Sequence, residues 1–358
     1  ARDLKQILFA FSPIIKTNEG FKKVKSLTFS YTNSTSINLK NETTFDFNSI
    51  QNSVLASGDW YRFYIEKSGV YKISKNFLNQ LGMNTNVNPQ KIKIYGNGGR
   101  MIPLLNSVEY PSDLAENAIQ FIGEEDGVFN NEDYILFYAE GVDQWSNESL
   151  TNLNLYDTKS YYYVTTLGDN GKRIPNIIQP EGTPINVFTT FDDYQFHEVD
   201  KRNILAQAPF AGSGQEWYGE EFIANSQQVF SFVGQGIASN SQISLTSSVL
   251  NTSYGTTAFN LTMNNQAVGT QNMDGITAST YDYKGKAAKN IFSVNSGLVT
   301  SDVINIGLTF DRKNLTSGGA FLNFLSIQLK RNIKLNNATS LRFRAFEQLQ
   351  YKDFQWQI

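Results

Sequence analysis

Apolar and polar residues alternate in short runs along most of this chain, and clusters of Gly, Asn, Asp and Pro interrupt the runs. A period of two places successive side chains on opposite faces of a strand, so the pattern dictates sheets with one buried face and excludes a helical bundle. Aromatic residues make up 13% of the chain and charged residues only 18%, which leaves Asn, Ser, Thr and Gln to supply the wet faces. The expected fold class is mainly β: consecutive β domains with a few short helices.

At 358 residues the chain exceeds one compact core. The runs divide it into an N-terminal β segment over 1–55, a mixed β domain with short helices over 56–187, a jelly-roll-like β-sandwich over 188–345 and a connection to a downstream domain over 346–358. Within the first segment, residues 24–30 and 34–39 read as strands. In the second, 60–66 and 70–73 read as a hairpin across Ser68-Gly69, Ser74 as the N-cap of a short helix, and Gly82 as its stop. Residues 91–95 and 101–105 flank Gly96-Asn97-Gly98-Gly99, which reads as a turn; no Gly-Lys-Ser/Thr follows, so it is no phosphate loop. Pro111-Ser112-Asp113 is expected to open another brief helix, and 118–122 and 134–139 to be buried strands joined by an acidic connection. Runs at 188–196, 221–223, 228–233, 242–247, 258–263, 291–294, 303–310 and 321–331 supply the sandwich.

The chain contains no cysteine and one histidine, His197. Disulfides, Cys-ligated metal and a cysteine nucleophile are excluded, and a two-histidine metal site cannot form within one copy. With 30 Lys plus Arg against 33 Asp plus Glu, the net charge of -3 provides no field for nucleic acid or an anionic membrane. No apolar run reaches the ~20 residues of a membrane-spanning helix.

The most suggestive cluster is the acidic connection Glu124 to Asp133, in which seven of ten side chains carry oxygen. It departs from an EF-hand, and three readings stay open: a solvated turn, a structural calcium turn built on Asp126 and Asp133 where Gly127 permits the bend, or a carboxylate pair for glycoside hydrolysis. No other cofactor is expected. His197 follows an aromatic strand beside Asp192, Asp193 and Asp200, a setting that suits a structural pair as well as a catalytic one. Tyr161-Tyr162-Tyr163 and Trp217-Tyr218 suit either a strand buried on both faces or a sugar-stacking platform.

Particular strings add a resemblance. SGDWYRFYIEKSGVYKIS from Ser57, KIKIYGNGGRMIPLL from Lys91, LAENAIQFIGEEDGVFNNEDYILFYAEG from Leu114 and NLYDTKSYYYVTT from Asn154 resemble, in this order, the amino-terminal region of the type IX secretion sortases of Bacteroidota, a gingipain-like cysteine peptidase family. DDYQFHEVD from Asp192 and EWYGEEF from Glu216 continue the match. The resemblance implies a cell-surface endopeptidase that removes C-terminal sorting domains from secreted cargo and transfers the cargo to anionic lipopolysaccharide. It also implies an outer-membrane β-barrel shuttle protein as partner, at the extracellular face of the outer membrane. Because the family's dyad is Cys-His, no catalytic residue carries over, and the peptidase domain is expected beyond Ile358. A secreted carbohydrate-binding or adhesion β-sandwich is the rival expectation.

Overall fold

The computed structural model describes residues 14–17, 20–23, 25–26, 52–105, 107–176, 182–183, 186–204, 216–223, 225–279, 283–335, 341–344, 346 and 355–356. Packing divides the chain into Ala1–Ser49 and Ile50–Ile358. The first unit contains an antiparallel pair, β1 (Ile14–Thr17) and β2 (Gly20–Lys23). The strands expected at 24–30 and 34–39 lie almost wholly outside the described residues.

The second unit holds two large apolar cores. Around the first, β3 (Tyr61–Ile65), β5 (Lys93–Tyr95), β6 (Glu116–Asn117) and β9 (Ser160–Thr165) form one sheet in the order β3-β9-β5-β6. The facing sheet runs β4-β8-β7, from β4 (Gly69–Ser74), β7 (Gln120–Ile122) and β8 (Tyr134–Ala139). Phe63, Phe137 and Tyr162 meet between them with ring centroids 5.4–5.9 Å apart. One α-helix is present among the described residues, α1 (Lys75–Gln80), started as expected by Ser74 accepting from the Phe77 N–H at 3.2 Å. It inserts Leu78 fully into the core.

Three local expectations in this region need correction. The strands on either side of Ser68-Gly69 form, but not as a hairpin: β3 pairs with β9 and β4 with β8. Crossing between layers lets Phe63 and Ile73 face each other across a core, which two strands of one sheet could not do. No strand occupies 101–105, where Pro103 removes a ladder donor. The preceding glycines instead permit close approach: a Cβ on Gly96 would lie 2.5 Å from the Tyr162 ring, and one on Gly99 would lie 2.6 Å from Val142. Asp113 opens no helix either; its carboxylate accepts from Ser53 Oγ at 2.9 Å and from the Val54 N–H at 2.7 Å.

After β10 (Val187–Phe188) come the sandwich strands: β11 (Thr190–Glu198), β12 (Glu221–Ile223), β13 (Gln227–Val233), β14 (Gln242–Asn251), β15 (Thr257–Met263), β16 (Gln266–Met273), β17 (Lys286–Asn295), β18 (Val303–Asp311) and β19 (Gly319–Asn332). One sheet runs β11-β19-β14-β17 with β12 also on β19; the other runs β13-β18-β15-β16. Phe222, Phe259 and Phe310 anchor the core between them. The mainly β class with antiparallel sheets is therefore as expected. Farther on, β20 (Gln355–Trp356) pairs in parallel with β10, and Trp356 packs on Phe343 with centroids 4.6 Å apart.

Candidate functional site

The acidic connection is a tight turn stabilised by its own hydrogen bonds. Gly123 and Gly127 take positive φ of 95° and 76° at either end of the short 3-10 turn Glu124–Asp126. Asp126 accepts from the Val128 N–H at 2.9 Å and from Asn130 Nδ2 at 3.0 Å, and Asp133, nearly buried, accepts from the Asn130 N–H at 2.6 Å. The two residues singled out in the sequence therefore converge on Asn130. Glu124 points elsewhere and holds Arg173 at 2.7 Å. Among the described residues no three Asp, Glu or His side chains gather as a metal cluster, so a calcium ion would add to a turn already closed by protein donors.

His197 does not pair with its neighbouring aspartates. Successive β residues point apart, and the ring instead meets Glu220, Nε2 to Oε1 at 3.1 Å, and lies 4.7 Å from the Phe230 ring. Burial pushes the Glu220 carboxyl up, but the His197 bond, a backbone bond and the His197 and Lys201 charges together hold it below its ordinary value. Among the described residues no hydroxyl is hydrogen-bonded to His197, so this is a pair without a nucleophile.

The aromatic runs separate by face. Tyr162 is buried in the first core, whereas Tyr161 and Tyr163 look outward half-exposed, so β9 is not buried on both faces. Arg62 and Lys159 cover Tyr161 and Tyr64, at 4.8 and 4.1 Å from the ring centres. Of Trp217-Tyr218, the tyrosine is wholly buried and the tryptophan is exposed.

What the sequence reading missed is a polar brace between the two cores. Glu198, at the end of β11 and 8% exposed, accepts from Thr151 Oγ1 at 2.7 Å, the Asn152 N–H at 2.8 Å and Asn152 Nδ2 at 2.9 Å. Asn152, fully buried, takes the Tyr194 hydroxyl on its Oδ1 at 2.8 Å. Trp145 from the same loop packs edge-on against Phe324 of β19 at 5.5 Å. The available signal was the period of two, which puts Glu198 on the face of Tyr194 and Phe196, a position where an unpaired carboxylate would not be tolerated.

No protein-family model matches the chain, and no curated protein matches it. A crystal structure of dimeric latent PorU from Porphyromonas gingivalis does, with a TM-score of 0.62 and 18% identity over 82% of this chain. The chain has a PorU-like fold. It spans 26% of that PorU chain. A family 36 carbohydrate-binding module of a xylanase from the hindgut metagenome of Trinervitermes trinervoides superposes at a TM-score of only 0.22, with 16% identity over 38% of this chain and 96% of its own. A second such module, in complex with calcium and xylotriose, reaches 0.23, with 15% identity over 39% and 99%. Neither is close enough to argue from, whereas the PorU match supports the fold over both cores.

Proposed function

We propose that this chain is a non-catalytic scaffold and docking region of a PorU-like type IX secretion sortase. In this reading a gingipain-like domain elsewhere in the protein cleaves C-terminal sorting domains from cargo and transfers the cargo to anionic lipopolysaccharide. The two β cores hold that domain at the extracellular face of the outer membrane, against a β-barrel shuttle partner. The observation that carries the reading is the PorU-like fold over 82% of the chain. The absence of any cysteine from the chain agrees with it, because a peptidase of this chemistry needs a thiolate that must come from outside these residues. Among the described residues, no helix is long and apolar enough to cross a membrane, which agrees with tethering through protein contact.

The contact surface is best sought where apolar side chains stand in water. Ile102, Leu104, Leu105, Val108 and Tyr110 lie in one irregular segment at 39–62% exposure. Replacing Ile102, Leu105 and Val108 together with Asp should cut co-purification with the barrel partner at least tenfold and leave the melting temperature unchanged, since none is in a core. Full retention of the partner would overturn docking through this segment. Deleting 1–187 is a poorer test, because it strips Glu198 of its buried partners. The chain alone should not cleave a sorting-domain substrate, and cleavage surviving exhaustive purification would sink the scaffold reading.

A further inference from the structure

The same loop that braces the two cores forms one wall of a groove on the outer face of the sandwich. The floor is Thr246 of β14 with Ser326 and Gln328 of β19; Trp145 and Phe324 stand on one side, and Tyr194, Arg344 and Phe346 on the other, enclosing about 460 Å3. That volume lies in the range of small-molecule sites. The walls are fixed: Trp145 Nε1 donates to Asn147 Oδ1 at 2.7 Å, the Asp192 N–H donates to Arg344 O at 2.7 Å, and the Phe346 N–H donates to Asp192 Oδ2 at 2.9 Å.

We propose that this groove binds an acidic saccharide. The floor offers no free strand edge, because β14 and β19 are paired on both sides and the outer edge of β11 is met by Arg344. An extended peptide therefore cannot add by backbone pairing, and recognition falls to side-chain faces. Trp145, half-buried and propped edge-on by the buried Phe324, presents ring surface that suits the C–H face of a pyranose, whose hydrogens carry the partial positive charge that ring faces attract. Thr246 and Gln328 carry polar groups without a hydrogen-bond partner among the described residues, placed to meet sugar hydroxyls.

Charge selects the acid. The groove's two carboxylates are already neutralised, Asp192 by Lys330 at 2.9 Å and Asp193 by Arg331 at 3.0 Å. Lys289, whose ammonium sits 5.2 Å from the Trp145 ring centre, and Arg344 have no ion-pair partner among the described residues. Two cations lining the groove, one of them over the Trp145 ring, suit an acidic sugar; they are too few for a nucleic-acid backbone.

The site is independent of the docking reading, and its failure would leave that reading intact. Calorimetric titration of the full chain, in chelator, with a galacturonate hexamer should show binding. A neutral maltohexaose should bind at least tenfold more weakly, and Lys289→Ala and Arg344→Ala, both at exposed positions, should each weaken the acidic ligand about tenfold, the size of one charge-assisted contact. Raising salt should weaken binding further. Absence of binding at millimolar ligand, equal binding of a hexaglutamate peptide, or an unchanged affinity in the double variant would each overturn the proposal.

Discussion

Replacing Glu198 with Ala would test whether the two cores melt as one body. Three donors converge on this carboxylate, from Thr151 and twice from Asn152, at 2.7–2.9 Å, and both partners are buried. Hydrogen bonds to a charged acceptor contribute about 1.5–3 kcal/mol each, which sets an upper bound near 9 kcal/mol. Against this, Ala relieves the several kcal/mol spent in desolvating the carboxylate, and the three bonds are not additive. The expected net loss is about 3 kcal/mol. At ~2–4 °C per kcal/mol, the figure for about 150–250 residues, the melting point should fall roughly 6–12 °C. In differential scanning calorimetry the parent should give a single transition and Glu198→Ala two, the first core and the sandwich parting company. Asn152→Ala should be non-additive with it by at least about 1 kcal/mol in a double-mutant cycle. A variant that melts as one transition within a degree of the parent, or strict additivity, would refute the brace.

Other expectations are narrower. If calcium binds the acidic turn, chelator should lower the melting temperature of the parent but not of Asp126→Ala, and identical curves would leave the turn to its hydrogen bonds. Gly123→Ala should destabilise by at least about 2 kcal/mol in urea titration, because φ is +95° and the new Cβ would fall 2.0 Å from Asp133 Oδ1. Arg100 donates Nε and Nη2 to Glu140 at 2.8 and 3.0 Å, and these bonds, with its charge, hold the Glu140 carboxyl below 4.5 against the effect of burial. The depressed value means that this stability is complete above pH 4.5 and disappears as pH falls through the lower, folded-state value. The pair is largely exposed, so Arg100→Ala should lose only about 0.5 kcal/mol less than the parent between pH 6 and 3 by acid titration. An equal loss in both would remove the pair from the account.

Strand positions were largely legible in the sequence because alternation records which face is wet, and β8, β12, β13 and β18 fall close to where it predicts them. Pairing was less so. Ser68-Gly69 has the chemistry of a hairpin turn, yet the partners of β3 and β4 lie some 60 to 100 residues away, and no local signal reports them. The strand β16 was missed because QAVGTQNM has no apolar alternation; the overlooked cue was Asn264-Asn265, both at positive φ, a two-residue hairpin turn. Of the site residues, Asp126 and Asp133 both bond Asn130, a partner that the sequence does not single out. Alternation could mark Glu198 but not its partner, for the same reason as the pairing: Glu198 and Asn152 meet only once both cores exist.

The register of β11 against β19 also fixes the order in which the protein can assemble. Arg331 reaches Asp193 across 138 residues of sequence, and every ladder bond of β11 waits for a strand made near the end of the described sandwich. The apolar residues of the first core end at Val164, and the stretch that pairs with Ile119 ends at Ile174, so that core can gather while the sandwich is still unstructured. Until β19 arrives, β11, β12 and β14 all present unpaired edges, the template on which chains stick to one another. Such non-local closure is slow, with each doubling of the loop adding about 0.6 kcal/mol of entropy. A single late strand thus sets both the pace of folding and the interval during which the nascent molecule is most prone to aggregate.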